Sequence, residues 1–355
     1  MALIDYLQDR LNQIGFDTER IEYDDENGIR KANVIGKKGE GIGGMSYFGH
    51  TDVIPADVWF TEQYGPFAPT VTDGKLYGRG ACDMKGSIAC MLSAAERFDH
   101  AELAKPLYVA CSADEEIGYG GALQIQEKSK HYREMVAGQS NTIIGEPTLL
   151  EVVYAHKGGC MFTATARGQS AHTSTDAGVN ANWTMIPFLV EIKKLYEETQ
   201  QNPEWQDPEF DPPTLALNIG IGDHPEALNV TKPISICRVG FRPMPRTNTE
   251  LLLEKVKRAA QKCGVELEIT DELPAFYVDG QSDFIKEVLR ISNKTKAHTV
   301  SYGSEAVIFN ELERRVVIGP GNIEQAHTID EWISLEQLER GTDVYAQFIR
   351  AWSTS

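Results

Sequence analysis

The side chains with the most chemistry to offer are two histidines and a set of acids spread along the chain. His50 and Asp52 lie in Gly49-His50-Thr51-Asp52-Val53-Ile54-Pro55. That stretch follows Met45-Ser46-Tyr47-Phe48, an apolar run of strand type after a glycine cluster. Two positions apart on an extended chain, His50 and Asp52 face the same way. An imidazole on a metal, held from behind by a carboxylate, fits that spacing. Asp83 lies in Gly80-Ala81-Cys82-Asp83-Met84-Lys85-Gly86, and Glu115 and Glu116 lie in Ser112-Ala113-Asp114-Glu115-Glu116-Ile117-Gly118. Glu146 lies in Gly145-Glu146-Pro147, and His327 follows Gly319-Pro320-Gly321-Asn322. A lone histidine at a strand end is more often structural than a ligand, and an acidic pair in a turn is more often solvated. Together these residues form a nitrogen and oxygen donor set that zinc accepts and that cobalt or manganese can share. A carboxylate can bridge two such ions, and a further glutamate beside a ligand is a natural general base.

The elements that must position them follow from the spacing. The steps from His50 to Asp83, Glu116 and Glu146 are 33, 33 and 30 residues. Each is about one strand-helix unit, and most of these acids come just after an apolar run. In an open α/β sheet the carboxyl ends of the strands share one edge, where ligands bind. The pattern is thus a doubly wound α/β fold with a mixed sheet. Helices are expected over 2–14, from Lys85-Gly86, from Gly118 to about His131, over 282–291 and over 334–352, with a loop over 56–75. After residue 159 the order changes to strand, helix, strand, strand, helix and strand, a split βαβ sandwich of ferredoxin-like type. The expected domains are 1–159 with 269–355, holding the acids and histidines, and an inserted α+β domain over 160–268. Gly39-Glu40-Gly41-Ile42-Gly43-Gly44 matches a dinucleotide fingerprint letter for letter. That motif must open a helix, and here a strand-type run follows, so the glycines are expected to form a turn.

Composition narrows the class. The 355 residues carry a formal net charge of −18 and are 41% hydrophobic, enough for a full core. The acidity argues against nucleic acid, which calls for a basic stripe. The six cysteines show no Cys-x-x-Cys pair and read as reduced thiols of a cytoplasmic protein. Met1-Ala2-Leu3-Ile4-Asp5-Tyr6-Leu7 reads as an amphipathic helix rather than a signal peptide. No apolar run is long enough to suggest a membrane span.

Five ordered blocks, Gly49–Pro55, Gly74–Gly78 with Asp83–Gly86, Asp114–Glu116, Gly145–Pro147, and Gly319–Gly321 with Ala326-His327, resemble the di-zinc aminoacylase/carboxypeptidase family over almost the whole chain. The resemblance implies two Zn2+ ions, with Co2+ as a substitute. Asp83 would bridge them, His50 and Glu146 would complete one site, and Glu116 and His327 the other. Asp52 would orient His50. Glu115 would be the base that deprotonates the attacking water and then passes the proton to the leaving amine. The Asp83-Met84 peptide bond would be cis. His172, in Gly168-Gln169-Ser170-Ala171-His172, would reach a partner subunit's site and stabilise the oxyanion, making the inserted domain a lid and dimerisation body of a homodimer. Arg242 and Asn229 would hold a substrate carboxylate, and Gly303 and Ser304 would line the pocket.

The expected reaction is amide hydrolysis of a small N-acyl amino acid, N-acetylornithine first. The alternatives are succinyl-diaminopimelate, acetylcitrulline or a dipeptide, and, in another class, a metal-stabilised binding protein without catalysis. Two departures from the family pattern bear on the substrate. Val239-Gly240-Phe241 stands where an acid usually precedes the Arg-Pro block. Tyr302-Gly303-Ser304-Glu305-Ala306 replaces a Gly-Gly-Thr-Asp-type loop and resembles the Thr-Glu-Ala of the family's deacetylases, which weakens the succinyl reading.

Overall fold

The computed structural model describes residues 1–61, 63 and 65–354, with Asp271 described by its backbone alone. The chain divides into two compact units. One comprises Met1–Ala155, Val278–His298 and Ser304–Ser355, and the other His156–Tyr277 with Thr299–Gly303.

In the first unit, the apolar runs pair into a mixed sheet. Its strands run in the order Asp17–Asp24, Arg30–Lys38, Leu107–Ser112, Met45–His50, Asn141–Ile144, Arg315–Val317 and Val152–His156. The four from Leu107–Ser112 to Arg315–Val317 are mutually parallel. Their carboxyl ends therefore share one edge, the arrangement the spacing of the acids implies. Both faces of these strands are buried: Met45–His50 and Leu107–Ser112 are inaccessible along their whole length, as expected of a sheet covered by helices on both sides. The helices Gly86–Ala95 and Leu335–Ser353 pack against each other. They join a core with Tyr47, Met84, Met91, Phe348 and Trp352.

The glycine-rich stretch after Lys38 is a turn between strands, with positive φ at Gly39, Gly41, Gly43 and Gly44; no helix follows it. Two details differ from expectation. The helix expected to run to His131 is split into Gly120–Lys128 and Lys130–Ala137. Ser129 caps the second helix, accepting from the Tyr132 N–H at 3.0 Å while donating to Glu19 at 2.6 Å. The expected loop at 56–75 contains Glu62 and Tyr64, which lie outside the described residues, and it ends in a hairpin. Thr70–Thr72 pairs with Lys75–Tyr77, and the latter with Trp332–Ser334. Asp73 and Gly74 both have positive φ, so Asp-Gly forms the two-residue turn that this dipeptide favours.

The second unit is a four-stranded antiparallel sheet in the order Ala216–His224, Ile234–Arg242, Gly159–Arg167, Glu266–Leu273. The helices Ala181–Gln201 and Thr249–Cys263 pack against each other and against its strands. The alternating burial of Ile234–Arg242 reflects one covered face. Among the described residues all six cysteines are free, and no helix is long and apolar enough to cross a membrane.

Candidate metal centre

His50 is the last residue of its strand and is 1% exposed. Asp52 lies beyond the strand end, so the two do not share a strand face. The loop instead folds back until the Asp52 carbonyl lies 3.2 Å, and Oδ1 3.5 Å, from His50 Nδ1. The other ring nitrogen, Nε2, is 2.9 Å from Asp83 Oδ1 and 3.9 Å from Glu146 Oε1. From the opposite side, His327 Nε2 is 3.4 Å from Asp83 Oδ2 and 3.0 Å from Glu116 Oε2. One unbroken chain of contacts thus runs Glu146, His50, Asp83, His327, Glu116. Donor atoms of His50, Asp83 and Glu116 all lie within 4.8 Å of one another. The Asp83-Met84 bond is cis.

Local structure explains each placement. Glu115 and Glu116 come three and four residues after the strand Leu107–Ser112. Their two N–H groups each donate to the Asp52 carboxylate at 3.1 Å. Asp52 thus holds both His50 and the turn that carries the two glutamates. Glu146 follows Gly145, where a side chain would run into Tyr47 Oη and Ser87 Oγ. Those hydroxyls form a buried chain, Tyr47 to Ser87 at 2.8 Å and Ser87 to Tyr345 at 2.7 Å.

Charge is out of balance here. Burial works against the charge of His50, but its bonds to Asp52 and Asp83 prevail and hold its pKa well above the usual imidazole range. Contacts with Asp83 and Glu116 raise His327 to about 10. Asp83 is held well below the carboxylate range: burial opposes this, and His327 and His50 outweigh it. Glu115 and Glu146 are not lowered in this way. Burial raises Glu115 to about 8, with His50 opposing and Glu305, Asp83 and Glu116 adding to the rise. Burial also pushes Glu146 well up.

Glu305, a residue not singled out from the sequence, completes the group. It is 1% exposed, and burial raises it to about 7. One oxygen accepts from Ser112 Oγ, and the other, Oε2, is buried without a hydrogen-bond partner among the described residues. Only its place in Ser304-Glu305-Ala306, a loop tied to the pocket by resemblance alone, pointed towards it. Buried acids in excess of the chain's own cations, alongside two imidazoles, make a donor set that fits divalent ions. A bound cation would reverse the pKa rise at each acid.

The other expected residues lie elsewhere in the chain. His172 is exposed in the second unit, with Nδ1 2.7 Å from Ser174 Oγ and accepting from the Ser174 N–H at 3.2 Å. That contact assigns the ring hydrogen of the neutral form to Nε2. Asn229 is its neighbour: its carbonyl accepts from the Thr173 N–H at 3.2 Å, and Val230 bridges to His172. Arg242 is exposed at the end of the strand Ile234–Arg242. Gly303 closes the second unit's last segment. Ser304, in the first unit, is fully buried, and its hydroxyl accepts from the Ala306 N–H at 3.3 Å.

Comparison with known proteins agrees with this architecture. The profile of peptidase family M20/M25/M40 matches residues 47–351. An acetylornithine deacetylase of Myxococcus xanthus is 33% identical over 98% of this chain and 91% of its own length. One from Pasteurella multocida is 32% identical over 99% and 91%. Among solved structures, a metallo-carboxypeptidase from Sulfolobus solfataricus superposes with a TM-score of 0.75 at 16% identity, covering 98% of this chain and 93% of that one. Human carnosine dipeptidase 1 gives 0.72 at 20%, covering 98% and 90%. At those identities the structural matches speak for the fold.

Proposed function

The chain belongs to peptidase family M20/M25/M40, and we propose that it is a metal-dependent amidohydrolase that removes the acetyl group from N-acetylornithine. The observation that carries this reading is the contact chain Glu146–His50–Asp83–His327–Glu116, set in a buried excess of acid. Relatives described as acetylornithine deacetylases, similar to it over nearly its whole length, support the substrate. The donor set would hold two ions, one by His50, Asp83 and Glu146 and one by Asp83, Glu116 and His327. Zinc is the expected metal and cobalt a substitute. When bound, such ions supply Lewis acidity, polarising the amide carbonyl and making water a nucleophile near neutral pH.

The chain's own residues do the rest. Asp52 fixes the orientation of His50 and anchors the Glu115-Glu116 turn. Glu115 takes a proton from the attacking water and returns it to the leaving amine nitrogen. In the metal-free chain burial raises this carboxyl to about 8; bound cations would bring it down again, leaving it ionised to accept that proton. His172 has its Nε2–H free to donate to the developing oxyanion of a partner subunit's substrate. Arg242 and Asn229 would hold the substrate carboxylate, Arg242 by a two-pronged contact, with Gly303 and Ser304 lining the pocket. The second unit would serve as lid and dimerisation body. Its edge strand Ala216–His224 exposes Ile219 and Ile221, and its helix exposes Trp183, Ile186 and Val190 on one stripe. An unpaired edge and an apolar stripe suit a second copy of the chain. Six free thiols suit a reducing cytoplasm.

The test is amine release from N-acetylornithine, N-acetylcitrulline, N-succinyl-diaminopimelate and several dipeptides, each with added zinc or cobalt and again after chelation. Chelator-sensitive release from N-acetylornithine is expected. Release only from the succinyl compound or a dipeptide would overturn the substrate and leave the chemistry standing. Light scattering of the intact chain should give a dimer, and a monomer would remove His172 from the mechanism.

A further inference from the structure

Glu331 belongs to none of the groups assigned so far, yet its carboxylate grips the loop that carries Asp83. The residue is 1% exposed. One carboxylate oxygen accepts from Arg79 Nη1 at 2.8 Å and from the Gly80 N–H at 3.0 Å. The other accepts from the Cys82 N–H at 2.9 Å and from the N–H of Asp83 itself at 3.0 Å. Four donors fill the acceptor capacity of a carboxylate. The backbone converges on it because Gly80 turns through φ +82°, where a side chain would also meet Lys85 Nζ and Val53. Successive N–H groups closing on one anion form a nest. Here the anion comes from 248 residues further along the chain.

The same short segment grips Asp83 a second time. His327 lies four positions before Glu331 and brings Nε2 to 3.4 Å from Asp83 Oδ2. Asp83 is therefore held by its peptide N–H through Glu331 and by its carboxylate through His327. The segment is keyed to the loop at further points. The Gly78 N–H donates to the Glu331 carbonyl at 3.0 Å, and Trp332 pairs with Tyr77.

We propose that Glu331 is a positioning residue for the metal centre: it fixes the backbone of Asp83 and, through the segment it shares with His327, the spacing at which Asp83 and His327 present their donor atoms. Glu331 touches neither the substrate nor the donor atoms; it acts through Asp83. Arg79 supplies its counter-charge, so the grip forms without a metal. The inference rests on the two-ion reading above.

Glu331→Gln tests it. The amide has the same shape but presents a donor where two N–H groups need an acceptor. In a competition titration of metal-free protein with zinc and a chromophoric chelator, the variant should bind one of two ions about 10- to 100-fold more weakly, as for other groups that orient ligands. Excess metal should restore turnover, which a general loss of folded protein would not allow. The double variant Arg79→Gln/Glu331→Gln strands no charge and should show the same weakening. A wild type that takes up no metal would refute the two-ion reading. A wild type that takes up two ions, with both variants unchanged in affinity, would overturn the role of Glu331 alone. Hydrogen exchange of the wild-type protein needs no variant to fold. The amides of Gly80, Cys82 and Asp83 should be as protected without metal as with it, and rapid exchange in the metal-free protein would overturn the proposal.

Discussion

Glu331 and Glu146 are both buried acids of the first unit, and the chain treats them oppositely. Glu331 receives a guanidinium and three backbone N–H groups at hydrogen-bond distance. Beside Glu146, among the described residues, the cationic atom within ion-pair distance is His50 Nε2, at 3.9 Å, and burial pushes its carboxyl well up. Glu305, with one oxygen unpaired, belongs with Glu146. Where an acid holds the fold together, the chain provides the cation and the donors. Around His50 and Asp83 it provides acids in excess of its own imidazoles and leaves the balance of positive charge to come from outside. Burying an uncompensated charge is costly, so the imbalance marks a place built for a divalent ion.

Substitutions can sharpen or break that contrast. The largest expected effect is on chemistry. Glu115→Gln should keep metal content while kcat falls by about 10²- to 10⁴-fold, the worth of general acid-base catalysis; wild-type turnover in the metal-loaded variant would remove Glu115 from its role. The next contrast is in stability. Arg79→Met leaves Glu331 buried without its cation and should cost about 3–5 kcal/mol in urea unfolding. Glu146→Gln substitutes a neutral group for a carboxyl that burial already holds back from ionising, and should leave the metal-free protein as stable as before, or more so, while weakening metal uptake. Equal losses in the two variants would erase the distinction. Adding metal to chelated protein at 100 times its dissociation constant should contribute about 2.7 kcal/mol of stability, seen as a higher melting temperature. The smallest effect is a control in the second unit. Asn248 caps the helix Thr249–Cys263, accepting from the Leu251 N–H at 3.0 Å. Asn248→Ala should cost about 1 kcal/mol and leave metal affinity untouched.

Much of the fold and of the donor set is legible in the sequence, and the unread part has a common cause. The parallel strands and the edge they share follow from buried apolar runs, most of which end at or just before a histidine or an acid, as Met45–His50 ends on His50. The ferredoxin-like order of the second unit follows from its alternation of strand and helix. Asp52 was legible as a partner of His50, but its grip on the Glu115 and Glu116 N–H groups was not. Nor was the bond from Ser112 to Glu305, or the nest around Glu331. Each of these joins a side chain to groups tens or hundreds of residues away. Contacts between distant side chains, or with backbone N–H groups that carry no residue identity, leave no periodicity or motif. The Asp73-Gly74 hairpin, by contrast, did leave a signal, the dipeptide itself.

The most direct test of the claim that these acids await metal is a titration of the chelated protein with zinc, following bound metal and amine release from N-acetylornithine together. The expected result is no release without metal, then release that rises with occupancy and levels off at two ions per chain. Release that persists in the chelated protein, or a chain that binds no zinc, would contradict it.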